Sequence, residues 1–272
     1  MSSAEALRLM CVVAHPDDES LGFGGTLARY AAEGVEVSIV AGTRGERGRY
    51  GDGTEPHPGP DELGRIRERE LRAASGALGV RHVRFLDYRD GELDQADPVE
   101  AGERVAACIR ELRPQVLLTF DPFGVYGHPD HVAISQLSLS GAMRAASPGP
   151  VDGGPDEPHQ VQKMYYHAWT DPVRDRYQHV FKALRITVDG EVRPSVTWPA
   201  WSVTTVTPAH DHWESVWEAV RCHRTQIAQY GDISELTPDD HRELWGPQEY
   251  YRVFSLVNGG RQQEQDLFEG LR

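Results

Sequence analysis

Lysine is nearly absent from this 272-residue chain: Lys163 and Lys182 are the only two, and every other basic side chain that stays charged at neutral pH is an arginine. With a formal net charge of −14 and no lysine-rich patch, the chain offers little to a phosphate backbone, which argues against nucleic acid as a partner. Long apolar runs are missing as well. The run Leu9 to Ala14 is only strand length, too short for a membrane span or a signal-peptide core, so a cytoplasmic location is expected. Cysteine is scarce and odd in number. Cys11, Cys108 and Cys222 lie far apart within apolar patterns, as reduced packing residues do, and not as a disulfide framework or a C-x-x-C metal site. No G-x-S-x-G elbow and no P-loop occurs, which removes the commonest serine-hydrolase and nucleotide-hydrolase readings.

What is present belongs to an ordinary globular protein, with 39% hydrophobic and 26% charged residues. The length suits one domain with an elaborated end, or two unequal units sharing a cleft. Leu7 to Ala14 reads as a buried strand, Glu19 to Glu33 as a helix stopped by Gly34, and Val35 to Thr43 as a second strand. A glycine- and proline-rich loop, Arg44 to Pro60, precedes an amphipathic helix carrying Leu63, Ile66, Leu71, Ala74 and Leu78. His82 to Tyr88 is a third strand, Asp97-Pro98-Val99-Glu100 opens another helix with a cap, an N1 proline and a reaching glutamate, and Gln115 to Phe120 is a fourth strand. This alternation predicts an α/β, Rossmann-like, mostly parallel sheet with helices on both faces, whose ligands bind outside the carboxyl ends of the strands. A smaller C-terminal α+β extension is expected, with strands at Met164 to Trp169 and Glu249 to Val257. Trp213, Val216, Val220, His223 and Ile227 fall at helical spacing. The resulting division is a catalytic core at 1–146, a surface loop at 147–160, and a C-terminal part at 161–272 that completes the sheet and pocket.

Two clusters carry the chemistry. Ala14-His15-Pro16-Asp17-Asp18-Glu19 follows the first strand directly, and Tyr126-Gly127-His128-Pro129-Asp130-His131 lies just past the fourth. Both therefore fall at one edge of the predicted sheet. Pro129 suits the first position of a helix, which makes His128 its cap and puts His131 in the first turn. A catalytic zinc site takes three protein ligands and leaves one position open, and His15, Asp18 and His131 could supply the three. Asp17 is then left beside the metal as a candidate general base. Either cluster alone also fits a solvated turn with a helix cap. Together, with hard oxygen and imidazole donors and no cysteine nearby, they favour one zinc ion per chain.

On these motifs the sequence resembles the LmbE-like, or PIG-L-like, family of zinc-dependent de-N-acetylases, whose members carry A-H-P-D-D and H-P-D-H. The likeness extends to Thr43-Arg44-Gly45-Glu46-Arg47-Gly48, Arg67-Glu68-Arg69-Glu70-Leu71 and Phe85-Leu86-Asp87-Tyr88-Arg89-Asp90. It implies that His15, Asp18 and His131 bind zinc, that Asp17 is the base, that a protonated His128 stabilises the oxyanion and that Asp130 orients His128. It further implies that Tyr126 hydrogen-bonds the tetrahedral intermediate and that Arg67 and Asp90 hold sugar hydroxyls. His223-Arg224-Thr225-Gln226 is similar to a family segment near the mouth of the site, but His223 fits an apolar stripe and reads as a core histidine.

The expected activity is removal of the N-acetyl group from an N-acetylglucosamine-type sugar or its conjugate, a small-molecule substrate, releasing acetate and a free amine. A non-catalytic metal- or carbohydrate-binding module of the same fold, or an amidase acting on a non-sugar amide, are the competing readings. Gly22-Phe23-Gly24-Gly25 superficially suggests a dinucleotide-binding turn, but Leu27 stands where the third glycine should fall, and close helix packing explains the glycines better. Six tryptophans, several in the C-terminal third, are material for a pocket wall or for contact between copies of the chain in a homo-oligomer.

Overall fold

The computed structural model describes residues 6–149, 157–181, 186–188, 190–193, 195–260 and 262–272. Much of the expected 147–160 loop lies outside the described residues. The first half alternates as the pattern predicts: β1 (Arg8–Val13), α1 (Asp18–Ala32), β2 (Glu36–Thr43), α2 (Pro60–Ala77), β3 (His82–Tyr88), α3 (Pro98–Leu112) and β4 (Val116–Thr119). A single irregular turn, α4 (Gly124–Gly127), leads into α5 (Pro129–Ala145). Then come β5 (Lys163–His167), α6 (Asp171–Phe181), a small hairpin of β6 (Ile186–Val188) and β7 (Glu191–Arg193), and β8 (Thr205–Pro208). The chain closes with α7 (Trp213–Cys222), α8 (Arg224–Ile227), α9 (Pro238–Trp245) and β9 (Pro247–Ser255).

One seven-stranded sheet in the order β3-β2-β1-β4-β5-β9-β8 runs through both halves of the chain. The five strands from β3 to β5 are parallel, and β9 and β8 extend them in antiparallel pairing. Leu9 to Val13 on β1 are wholly buried, as a central strand covered on both faces requires. The helices form two groups: α3 packs on α5, while α7 packs on α1 and α2. The chain returns from β3 to cross β1 before laying down β4, so β1 and β4 are neighbours whose connections diverge. Their carboxyl ends open the crevice in which such sheets bind ligands.

Local chemistry sets the element ends. Asp97 caps α3 by accepting the Val99 and Glu100 amides, a contact worth about 1 kcal/mol. The glycines of α1 serve packing. A Cβ on Gly24 would come to 3.0 Å from Val216 of α7, and one on Gly25 to 2.6 Å from the Trp245 carbonyl. The expected helix over 213–227 is interrupted at His223 (φ −80°, ψ 60°), whose ring reaches Glu19.

Candidate active site

Both motifs arrive at the crevice. After β1 the chain turns through Pro16 and Asp17, and Asp17 takes φ 112°, a region an L-residue enters only under constraint. The constraint is visible. Glu19 accepts the Asp17 amide at 2.9 Å, and the Asp18 carboxylate folds back to accept the His15 amide at 2.8 Å. Glu19 itself is fully buried and is held by Ser20 Oγ and by His223 Nε2 at 2.8 Å. The second motif follows a knot made by Asp121, which accepts the Phe123 and Val125 amides on one oxygen and the Trp198 indole on the other. Val125 sits at φ 63°, another strained position, just before Tyr126.

His15, Asp18 and His131 come together tightly. His131 Nε2 lies 3.3 Å from His15 Nδ1 and 3.3 Å from Asp18 Oδ1, and His15 Nδ1 lies 3.5 Å from Asp18 Oδ2. Donor atoms on a tetrahedron of zinc–ligand length, about 2.0–2.1 Å, are separated by roughly 3.4 Å; the two imidazole nitrogens meet that spacing, and each faces a different oxygen of Asp18. Two groupings of donor atoms that could hold one ion are found among the described residues, His15-His128-His131 and His15-Asp90-Asp130. The second of these backs the triad. His15 Nε2 faces Asp90 Oδ1 and Asp130 Oδ2, each at 3.2 Å, which leaves Nδ1 to point at the other two ligands. Burial opposes charge on His15, but Asp130, Asp18 and Asp90 outweigh it and raise its pKa. Four carboxylates crowd here against one arginine, a charge balance that a divalent cation would settle. The plane of His131 is set differently: its ring stacks on Phe120 at 4.1 Å, and its buried Nδ1 has no hydrogen-bond partner among the described residues.

Asp17 stands beside the triad with one oxygen tied down. Its Oδ2 accepts from Tyr230 Oη at 2.7 Å and from Arg67 Nη2 at 3.1 Å. Burial raises its carboxyl pKa, only partly offset by Arg67. His128 caps α5 through Nδ1, which accepts the Asp130 amide at 3.1 Å, so a neutral ring carries its proton on Nε2. Burial, together with the nearby His15 and His131, lowers its pKa to about 3. The expected protonated His128 is therefore corrected to a neutral donor. Tyr126 lies with its ring 5.2 Å from His131, and burial raises its pKa.

Three expected roles do not match the geometry. Arg67 is only 4% exposed and donates to the Gly45 and Pro16 carbonyls as well as to Asp17, so it has no face for a sugar. A Cβ on Gly45 would sit 2.1 Å from this guanidinium, which is why glycine (φ 69°) stands there. Asp90 is committed to His15 and to the Arg47 amide. Asp130 does not orient His128 with its carboxylate, which accepts the Gly91 and Leu93 amides and His15 instead.

A cavity of about 410 Å³ opens on these groups and is lined by Asp17, Asp18, Tyr126 and His131. Trp169, Tyr177, Phe181 and Tyr230 line it too, and Arg49 donates to Gln229 at 2.8 Å in its wall. Among the tryptophans, Trp169 is the pocket wall, Trp245 is core, and Trp201 is 87% exposed. Sequence reasoning missed Glu19, His167, Tyr177 and Tyr230. Only Glu19 carried a local signal, as the residue next to the aspartate pair.

The family model described as "PIG-L: GlcNAc-PI de-N-acetylase" matches residues 10–141. A 1D-myo-inositol 2-acetamido-2-deoxy-alpha-D-glucopyranoside deacetylase from Kribbella flavida is 35% identical over the whole of both chains. A protein of the same name from Kineococcus radiotolerans is also 35% identical, over 97% of this chain and 83% of its own. In three dimensions the N,N'-diacetylchitobiose deacetylase of Pyrococcus horikoshii is similar in fold, with TM-score 0.66 and 22% identity over 92% of this chain and 84% of that one.

Proposed function

Because the chain belongs to the PIG-L family of GlcNAc-PI de-N-acetylases, we propose that it hydrolyses the N-acetyl amide of an N-acetylglucosamine conjugate, with inositol glycosides as the first substrates to test. The observation that carries this reading is the close approach of His15, Asp18 and His131, with Asp17, Asp18, Tyr126 and His131 lining one cavity. Membership alone would not suffice, since one fold serves many chemistries.

His15, Asp18 and His131 would hold the zinc ion, which when bound supplies Lewis-acid polarisation of the acetamide carbonyl and eases loss of a proton from water. The chain's own groups do the rest. Asp17, its pKa raised by burial, accepts the proton of the attacking water as a carbon–oxygen bond forms at the acetyl carbon. Tyr126 Oη–H and His128 Nε2–H donate to the carbonyl oxygen as it gains charge, a stabilisation typically worth about a hundredfold in rate per donor. Breaking the carbon–nitrogen bond then returns a proton to the amine from Asp17, which has just gained one, giving acetate and the free amino sugar.

The test is zinc content together with acetate release from a panel of N-acetylglucosamine conjugates, comparing wild type with Asp17→Ala. We expect about one zinc per chain in both and acetate from wild type alone. Zinc-loaded wild type that releases no acetate from any member would refute catalysis and leave a binding module.

A further inference from the structure

We infer that Tyr230 is a positioning residue for the Asp17 carboxylate, holding one oxygen so that the other faces the attacking water. This rests on the deacetylase reading. The Tyr230 hydroxyl donates to Asp17 Oδ2 at 2.7 Å, and Arg67 Nη2 reaches the same oxygen at 3.1 Å. No partner is found for Oδ1 among the described residues. The Asp17 backbone is already fixed by the hydrogen bond that its N–H donates to the Glu19 carboxylate, so what remains free is rotation of the side chain. Two donors converging on one oxygen stop that rotation.

The two donors are not equivalent. Arg67 is buried and anchored on the Gly45 and Pro16 carbonyls, behind the base. Tyr230 lines the cavity, so it is the partner of Asp17 that a substrate can approach. It comes from the C-terminal half, 213 residues along the chain. Its placement is built. The turn after α8 brings Gly231 so close to α6 that a Cβ there would fall 2.4 Å from the Val180 carbonyl, and Gly231 takes φ 64°. The Asp232 amide reaches that same carbonyl at 3.4 Å, and Phe181 meets the Tyr230 ring edge to face at 6.0 Å. The base from β1 is thus completed by a residue that the N-terminal motifs do not contain.

Tyr230→Phe keeps the ring and removes only the hydroxyl. On the substrate that wild type deacetylates, kcat should fall about 10- to 100-fold, the usual effect of a misplaced catalytic group, with KM and bound zinc within twofold of wild type. A folded variant whose kcat stays within twofold overturns the inference, as does a raised KM with unchanged kcat, which would make Tyr230 a substrate contact. If wild type proves inactive on every conjugate, the deacetylase reading fails on its own, and crystal structures of the two proteins decide the positioning. An Asp17 carboxylate turned away in the variant supports it, and one that superimposes overturns it.

Discussion

At the scale of single residues, the site shows how a ligand is set by what lies behind it. His15 offers Nδ1 to the triad because Asp90 and Asp130 both engage its Nε2. Outer partners of this kind typically contribute 10- to 100-fold to metal affinity. Asp90→Asn should therefore weaken zinc binding by about that factor, measured by competition with a chromophoric chelator, and unchanged affinity would show that Asp130 alone suffices. The motif residues were legible because a histidine and two carboxylates at one turn are chemically conspicuous. The shell was not. Arg67 and Asp90 came from resemblance as sugar contacts, yet one holds Asp17, the proposed base, and the other His15, a proposed ligand, since a side chain's direction depends on neighbours 50 and 75 residues away. Tyr230 lacked any signal: a tyrosine in an irregular segment looks the same whether it faces solvent or a base.

Among the elements, the strands and helices of the first half were readable to within a residue or two, because each is a local pattern of burial closed by a cap or a glycine. What could not be read was pairing. β9 returns from the end of the chain to lie antiparallel on β5, and nothing in its sequence names that neighbour. The irregular piece between β4 and α5 is equally opaque, and it is where the proposed oxyanion donors sit. Asp121 organises it by gathering two amides and the Trp198 indole, although burial raises its carboxyl pKa. Asp121→Ala would leave these donors unpaired, at about 1–3 kcal/mol for each one that water cannot reach. We expect a clear loss of stability in urea and a larger fall in kcat than in bound zinc, since Tyr126 and His128 follow this loop while two of the three ligands do not depend on it. Proportionate loss of zinc and activity would mean the loop also fixes His131.

Over the whole molecule, one ionised side chain of the C-terminal segment gathers contacts from several strands of the sheet. Glu264 is 1% exposed, yet Lys163, Tyr165, Thr205, Arg252 and Asn258 all reach its carboxylate, joining β5, β8 and β9 to the end of the chain. Burial disfavours its charge, but the bonds from Lys163, Asn258, Tyr165 and Thr205 outweigh that and lower its pKa below the ordinary 4.5. A lowered folded-state pKa contributes stability that is complete above the ordinary value and disappears as pH falls through the depressed one. Glu264→Gln removes the charge and strands the wholly buried Lys163 ammonium, and breaking a buried pair in this way costs about 3–5 kcal/mol. Denaturation at neutral pH should show that loss, and the gap between variant and wild type should narrow in acid as wild type becomes protonated too. The triad and Asp17 lie on the other connections of the sheet, so zinc binding by the folded variant should match wild type. A gap that persists unchanged in acid would mean that shape, and not charge, is what Glu264 contributes.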